Sequence, residues 1–487
     1  MTTEKIPSKF QVEIYREYTQ SDCNIIVEAG PGSGKSHTIL GMINVTPKFK
    51  QIILVAFSKS IQEELAAKVP ENVKVKTIHS LAYSVLRANV FKHFKVNEYK
   101  NFILAKKVLN LESLKPKEKD AYLFQISKII DLSRFNLCKT KEDIEAVCDQ
   151  YSISTINGEV DDTIKMIKYL DKYNSSSSKE LMIDFTDMLW LAYSMVKPDL
   201  WPKFHVVFCD ELQDLNPLQK SVLEMIIHPT KGRFIGVGDK KQSIYGFMGA
   251  NIQAFDSFSA RANTKVLPLS VTYRCSKAVT KVANSIFPGI EAFESNIEGE
   301  VRKGYINEAE EGDFIICRNN MPLIESWLEL VKSGKKCHIL GKDFGNSLLV
   351  LITKLSHYSK YEDGVNSILK SKEDELSKKG IKNPKGTNNY GGLVEKLSII
   401  DVLKKEFGSF EVMRVKVEGI FTDNKESRGI ILMTGHKSKG LETDNVFFLK
   451  KDLIPSKYAQ NIQELYQEKC LEYVITTRAK DKLIYVD

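Results

Sequence analysis

Residues 24–43 read NIIVEAGPGSGKSHTILGMI, and this stretch decides the fold. Asn24 to Glu28 is a short apolar run, Ala29 to Lys35 is rich in glycine, and SHTILGMI has the apolar spacing of a helix. Strand, loop and helix in that order form a phosphate cradle. The glycines let backbone N–H groups wrap an anion at a helix N-terminus. The candidate cradle is Ala29, Gly30, Gly32, Ser33, Gly34, Lys35 and Ser36, with Lys35 reaching the outer phosphates and Ser36 ligating Mg²⁺. Ala29 stands where the strict pattern has glycine.

Such a site needs an acidic pair at the end of a buried strand, and HVVFCDELQD, residues 205–214, supplies one. Asp210 is the expected Mg²⁺ partner, and Glu211 the group that orients and deprotonates an attacking water. Two adjacent acids are ordinarily a solvated strand end. The apolar run before them and the phosphate cradle upstream favour chemistry here.

Outward from these two motifs, apolar runs recur at Ile52 to Phe57, Phe234 to Val237, Phe314 to Cys317, Ile430 to Met433, Val446 to Leu449 and Leu483 to Val486. Helical stretches separate them, which predicts an α/β fold of parallel sheets with crossover helices. From Asn89 to Lys179 the pattern turns lysine-rich and helical, ending in the polar NSSSSKE, so an inserted helical segment is expected. A second interruption carries KSKEDELSKKGIKNPKGTNNYGG from Lys370 to Gly392, where loops and exposed helix are expected. The expected organisation is a first domain at 1–88 and 181–266 interrupted by a helical insertion at 89–180. A second domain follows at 267–346 and 428–487, interrupted by a short insertion at 347–427.

The chain has 487 residues, 43% of them hydrophobic and 27% charged, enough for several cored domains and unlike a disordered or fibrous protein. No run of about 18 apolar residues occurs, and MTTEKIPSKF lacks an apolar signal core. A non-secreted protein without a membrane anchor is expected, cytoplasmic or nucleoid-associated, or nuclear in a eukaryote. The eight cysteines are scattered without metal-ligand spacing, so reduced thiols and no structural metal are expected. The net charge of +8 suits an anionic partner without identifying one.

The motifs resemble, in content and order, those of the UvrD/Rep/PcrA branch of superfamily 1 DNA helicases. After PSKFQ and AGPGSGKS come DELQD, VGDKKQSIYGFMGA, LSVTYRCS, TGHKSKGLE and YVITTRAKDKL. AFSKSIQEEL and KTIHSLAY are similar to the F-box DNA helicase and short virus-type members. The resemblance implies two RecA-like P-loop domains that open and close on ATP and move a single DNA strand, with 3′-to-5′ polarity. It implies ATP and Mg²⁺ as cofactors. The implied partners are single-stranded DNA, single-strand/duplex junctions, and replication, repair or recombination proteins, with the chain itself monomeric.

Carried over residue by residue, Gln11 resembles the adenine-reading glutamine, and Tyr273 the tyrosine that stacks on adenine. His37 occupies a place where relatives often have arginine, and Glu442 resembles a ribose contact. Gln242 resembles the glutamine that senses the γ-phosphate and links hydrolysis to DNA. Arg274 and Arg478 match the two arginines that reach the γ-phosphate from the second domain, a kind of charge stabilisation worth roughly 10³–10⁵ in rate elsewhere.

A motor on single strands needs aromatic faces for bases and polar groups for phosphates. Phe57, Tyr245 and Phe247 lie in the family's base-stacking segments. Lys59, Thr77, His79 and Ser80 lie in segments that touch the DNA backbone, as do Thr434 and His436 in the second domain. An aromatic at a strand end is otherwise more often core, and His79 would otherwise be a structural histidine. Met248 replaces an arginine usual before Gly-Ala, so coupling between nucleotide and strand is expected to run through other residues. The segment between Gly345 and Arg428 is far shorter than the regulatory insertion of typical relatives. Three other readings stand beside the helicase: a partner-gated ATPase subunit that does not unwind by itself, an RNA helicase, and a small-molecule phosphotransferase.

Overall fold

The computed structural model describes residues 7–112, 116–151, 153, 158–175, 181–244, 252–378, 383–422, 428–459 and 461–487. The chain folds into two compact units whose main boundary in the sequence falls between Ser270 and Val271, with the short piece Pro31–Ser33 grouped with the second. Each is built on a parallel sheet, as the alternation of apolar strands and helices requires.

In the first unit six strands lie in the order Val73–Thr77, Ile52–Ala56, Val206–Cys209, Arg233–Gly238, Asn24–Ala29, Thr264–Leu269. The inner strands are almost continuously apolar because both faces are covered. On one face, helices Lys9–Gln20 and Lys35–Asn44 bury Ile14, Tyr18, Ile39 and Met42 against Ile25, Val27, Leu54 and Phe208. On the other, helices Ile78–Asn89, Phe185–Met195 and Pro217–Ile226 bury Leu81, Leu189 and Leu223 against Ile26, Ile53 and Val207. The outer strands read differently. Thr264–Leu269 is half exposed and carries Pro268, which an edge strand tolerates because one side of its ladder is unpaired.

The lysine-rich interval forms helices Lys100–Val108, Pro116–Phe135, Lys141–Gln150 and Glu159–Asn174, with a core of their own around Leu104, Leu123, Ile126, Met166 and Leu170. A buried charge cluster joins them to helix Phe185–Met195. Asp187 pairs with Lys100 and, at 2.6 Å, with Arg134, and all three side chains are almost completely buried. Burial alone would discharge Asp187. The two cations reverse that and hold its carboxyl below the ordinary range.

The second unit has seven parallel strands in the order Glu300–Lys303, Ala479–Val486, Thr443–Leu449, Phe314–Cys317, Ile430–Thr434, Cys337–Leu340, Phe421–Thr422. The polar interval expected to hold loops and exposed helix is mainly helical, through Tyr361–Lys378, Asn388–Phe407 and Phe410–Ile420. Its later helices bury Leu397, Ile400, Leu403, Met413 and Val417 in the same core as Ile315 and Leu432. The interval therefore completes that core rather than standing apart from it.

Replacing Asp187 with alanine strands two cations in the core. The expected loss is about 3–5 kcal/mol in urea unfolding, against a much smaller loss for the exposed pair Lys68–Glu64.

Candidate functional site

Three neighbouring strands of the first sheet, Val206–Cys209, Arg233–Gly238 and Asn24–Ala29, run parallel, so their carboxyl ends share one edge. That edge is where open α/β sheets place ligands. Asp210 and Glu211 follow the first strand, Asp239 the second, and the glycine-rich loop the third.

The loop turns through Gly32 at φ +64° and Gly34 at φ +83°, values that favour glycine. Gly34 caps helix Lys35–Asn44 and brings no side chain to its first-turn N–H groups, which leaves a helix start suited to a phosphate. Gln11 is buried beside this helix. Its amide Nε2 donates to Thr38 Oγ1 at 3.0 Å, and its Oε1 accepts from the Ser8 N–H at 2.9 Å. Ser36 and His37 are exposed on the helix's first turn.

Lys35 Nζ lies 3.3 Å from Glu211 Oε1. Burial works against its charge, but the carboxylates of Glu211, Asp239 and Asp210 outweigh that and hold the ammonium above its ordinary range. Burial and the adjacent Glu211 push the Asp210 carboxyl up to about 7, and burial also raises Asp239. Carboxylates crowded in this way have more negative charge than Lys35 neutralises. A divalent cation with a phosphate fits such a donor set. Glu211 itself sits at φ +51°, a left-handed conformation that costs a non-glycine residue energy and is often kept where it aims a functional side chain.

The sequence reading passed over Gln213. It is fully buried, donates from Nε2 to Glu211 Oε2 at 2.5 Å, and accepts at Oε1 from the Asp239 N–H at 2.8 Å. Asp239 in turn accepts from Gln242 Nε2 at 2.7 Å and from the Lys241 N–H at 2.9 Å. Lys35, Glu211, Gln213, Asp239 and Gln242 thus form one hydrogen-bonded chain. Only Gln213's position inside DELQD signals its place in it.

At the same sheet edge Phe57 follows strand Ile52–Ala56 and Thr77 ends the neighbouring strand. Phe57 is 42% exposed, and Lys59 is exposed and 3.8 Å from Glu63. Thr77 and Ser80 cap helix Ile78–Asn89 reciprocally, which gives both hydroxyls a structural duty. Burial lowers the basicity of His79, whose ring meets Phe185 edge-on at 6.3 Å. Phe185, 55% exposed, is a second aromatic face that sequence reasoning missed, since DFTDML reads as a helix start. Tyr245, Phe247 and Met248 lie outside the described residues.

In the second unit Arg274 pairs with Glu442 at 2.5 Å, and Lys480 lies 3.3 Å from the same carboxyl. Burial opposes ionisation of Glu442, but the two cations outweigh it and hold the carboxyl below the usual range. Arg274 Nε is buried with no hydrogen-bond partner among the described residues, a donor left over for a ligand oxygen. Arg478 is almost wholly buried and donates to the Val474 and Leu441 carbonyls at 2.8 and 3.1 Å, which braces it at the end of helix Ile462–Thr476. Tyr273 packs against Phe293 with ring centroids 4.7 Å apart. Thr434 ends strand Ile430–Thr434, and His436 follows two residues on.

Burial, with the nearby Arg318 cation, pushes His436 down to about 4, although Glu468 opposes this. The unfolded chain therefore takes up a proton below about 6.5 while the folded imidazole does not. Stability from this group is complete above that pH and is lost as pH falls towards 4. His436→Asn should flatten the decline of the urea midpoint across this window. An unchanged slope would show that the imidazole titrates normally.

Residues 11–263 match the UvrD/REP helicase N-terminal domain, and residues 354–486 the UvrD-like helicase C-terminal domain. F-box DNA helicase protein 1 of Schizosaccharomyces pombe is 26% identical over 510 residues, covering 95% of this chain and 55% of that protein. F-box DNA helicase 1 of Gallus gallus is 24% identical, covering 94% and 47%. The ATP-dependent DNA helicase Rep of Buchnera aphidicola is 25% identical, covering 55% and 41%. The chain spans about half the length of these relatives. With the phosphate loop and acidic strand end inside the first matched region, and the second covering most of the later sheet, the chain belongs to the UvrD/Rep helicase family.

Proposed function

We propose that this chain is an ATP-dependent single-stranded DNA translocase and DNA helicase that moves 3′ to 5′. The observation that carries the reading is the pairing of Lys35 with Glu211 in front of an uncapped, glycine-turned helix start, with Asp210 beside it. Its similarity to DNA helicases, one of them the ATP-dependent DNA helicase Rep of Buchnera aphidicola, supports DNA as the track and ATP as the fuel.

In this reading the N–H groups of the loop and Lys35 bind the phosphates of ATP, and Gln11 and Tyr273 hold the adenine while Glu442 meets the ribose. Mg²⁺, held by Ser36 and Asp210, would supply charge neutralisation on the phosphate oxygens. Glu211 accepts the proton of the attacking water, and Lys35 moves from its carboxylate partner to the phosphate. Arg274 leaves Glu442 to stabilise the transferred phosphoryl group, and Arg478 adds a second guanidinium. Phe57 and Phe185 offer faces to bases, and Lys59 and His436 contact the DNA backbone. Movement then follows from a difference between the ATP-bound and ATP-free affinities for the strand.

The test is steady-state ATP hydrolysis by the purified chain, alone, with single-stranded DNA, and with RNA of the same sequence. The reading predicts strong stimulation by DNA. Stimulation by neither polymer would favour a partner-gated ATPase, and equal stimulation by RNA would move the track to RNA.

Two variants check the assigned chemistry. Lys35→Ala should abolish hydrolysis while retaining most DNA binding, and normal turnover would remove the phosphate-loop assignment. Glu211→Gln should bind ATP yet turn over at least about a hundredfold more slowly, and wild-type turnover would mean that another group accepts the proton.

A further inference from the structure

Met248 lacks the charge that would ordinarily help link nucleotide to strand, so the hydrogen-bonded chain behind Glu211 gains importance. Gln213 is its middle member. An amide side chain carries a donor and an acceptor at fixed separation, and Gln213 uses one towards each side: Nε2 towards Glu211, Oε1 towards the Asp239 backbone. Neither contact is a helix or strand bond, so local folding does not require them.

The surrounding backbone is fitted to this amide. A Cβ on Gly238 would fall 2.4 Å from Gln213 Oε1, and one on Gly236 would fall 2.7 Å from a Leu212 methyl carbon. Strand Arg233–Gly238 therefore lacks side chains where the turn Leu212–Asp214 crosses it, and the amide reaches Asp239. Asp239 is fixed on its far side by Gln242, which immediately precedes the segment leading to Tyr245 and Phe247. A shift of the Gln242–Asp239 turn by a few tenths of an ångström would be passed through Gln213 to the Glu211 carboxylate. It has little room to dissipate, because Gln213 is fully buried.

We propose that Gln213 is a positioning residue that aims the Glu211 carboxylate and makes that aim depend on the Asp239–Gln242 turn, coupling strand contact to hydrolysis. The inference rests on the ATPase reading above. It predicts that disturbing the amide lowers turnover without weakening ATP binding, because Gln213 touches Glu211 and Asp239 and not the phosphate loop. Misplacing a reacting group by about 1 Å can cost about a hundredfold in rate.

The experiment uses the full chain in four forms: wild type, Gln213→Met, Gly238→Ala and the double variant. Gln213→Met keeps the side chain's length and removes both hydrogen bonds. Gly238→Ala keeps the amide group but displaces it, since the added Cβ would lie 2.4 Å from Gln213 Oε1 and 3.0 Å from the Leu212 N. Steady-state ATP hydrolysis is measured with and without oligo(dT), and thermal unfolding by circular dichroism. The expected result is a fall in DNA-stimulated kcat of about 10- to 100-fold in each single variant, with KM for ATP within about threefold, and a smaller stimulation ratio. The double variant should be little worse than Gln213→Met alone. Folded variants with wild-type kcat and stimulation overturn the inference while leaving the ATPase reading intact, as does a parallel rise in KM. Absence of DNA-stimulated hydrolysis in wild type overturns both.

Discussion

The ammonium of Lys35 is the charge on which the site depends. Parallel strands bring Asp210, Glu211 and Asp239 to one sheet edge, and Lys35, from the helix after the neighbouring strand, is drawn into them. Each of these groups is costly to bury alone. Together they are tolerable but under strain, with the Asp210 carboxyl pushed to about 7. A site so poised gains by accepting a cation and an anion together, as a metal–nucleotide pair provides. The fold's contribution is geometric, since an edge lined by adjacent strand ends holds the carboxylates beside the glycine-turned start of the helix that carries Lys35.

The second unit repeats the theme with the signs exchanged. Arg274 and Lys480 share Glu442, and Arg274 keeps a buried Nε without a hydrogen-bond partner among the described residues. Such a guanidinium is held ready at modest cost, because its present partner is a half-exposed carboxylate and not a fully enclosed one. Arg478 differs. Its Nε and one terminal nitrogen donate to the Val474 and Leu441 main-chain carbonyls at 2.8 and 3.1 Å, and its other terminal nitrogen donates to Thr477 Oγ1 at 3.2 Å, so it is braced by groups close to it rather than by an acidic partner.

Much of this was legible in the sequence, and the reasons differ by element. The central strands, such as Val206–Cys209 and Phe314–Cys317, announce themselves because burial on both faces demands unbroken apolar runs. Val73–Thr77, Thr264–Leu269 and Glu300–Lys303 escaped notice because edge strands keep polar residues and, in one case, a proline. Lys35, Asp210 and Glu211 were legible from local motifs. Gln213 and Phe185 were not, since their places in the fold arise from contacts with residues far off in sequence: Gln213 with Asp239, and Phe185 with His79. Thr77 and Ser80 mark the opposite limit, because a motif position and a helix cap ask for the same hydroxyls.

The most direct measurement of the central claim is movement itself. Stopped-flow fluorescence would follow arrival of the chain at the dye-labelled 5′ end of single-stranded DNA of increasing length, after mixing with ATP and Mg²⁺. Directed translocation predicts an arrival time that grows linearly with length at the 5′ label, and simple dissociation from a 3′ label. An arrival signal independent of length at either end would contradict it.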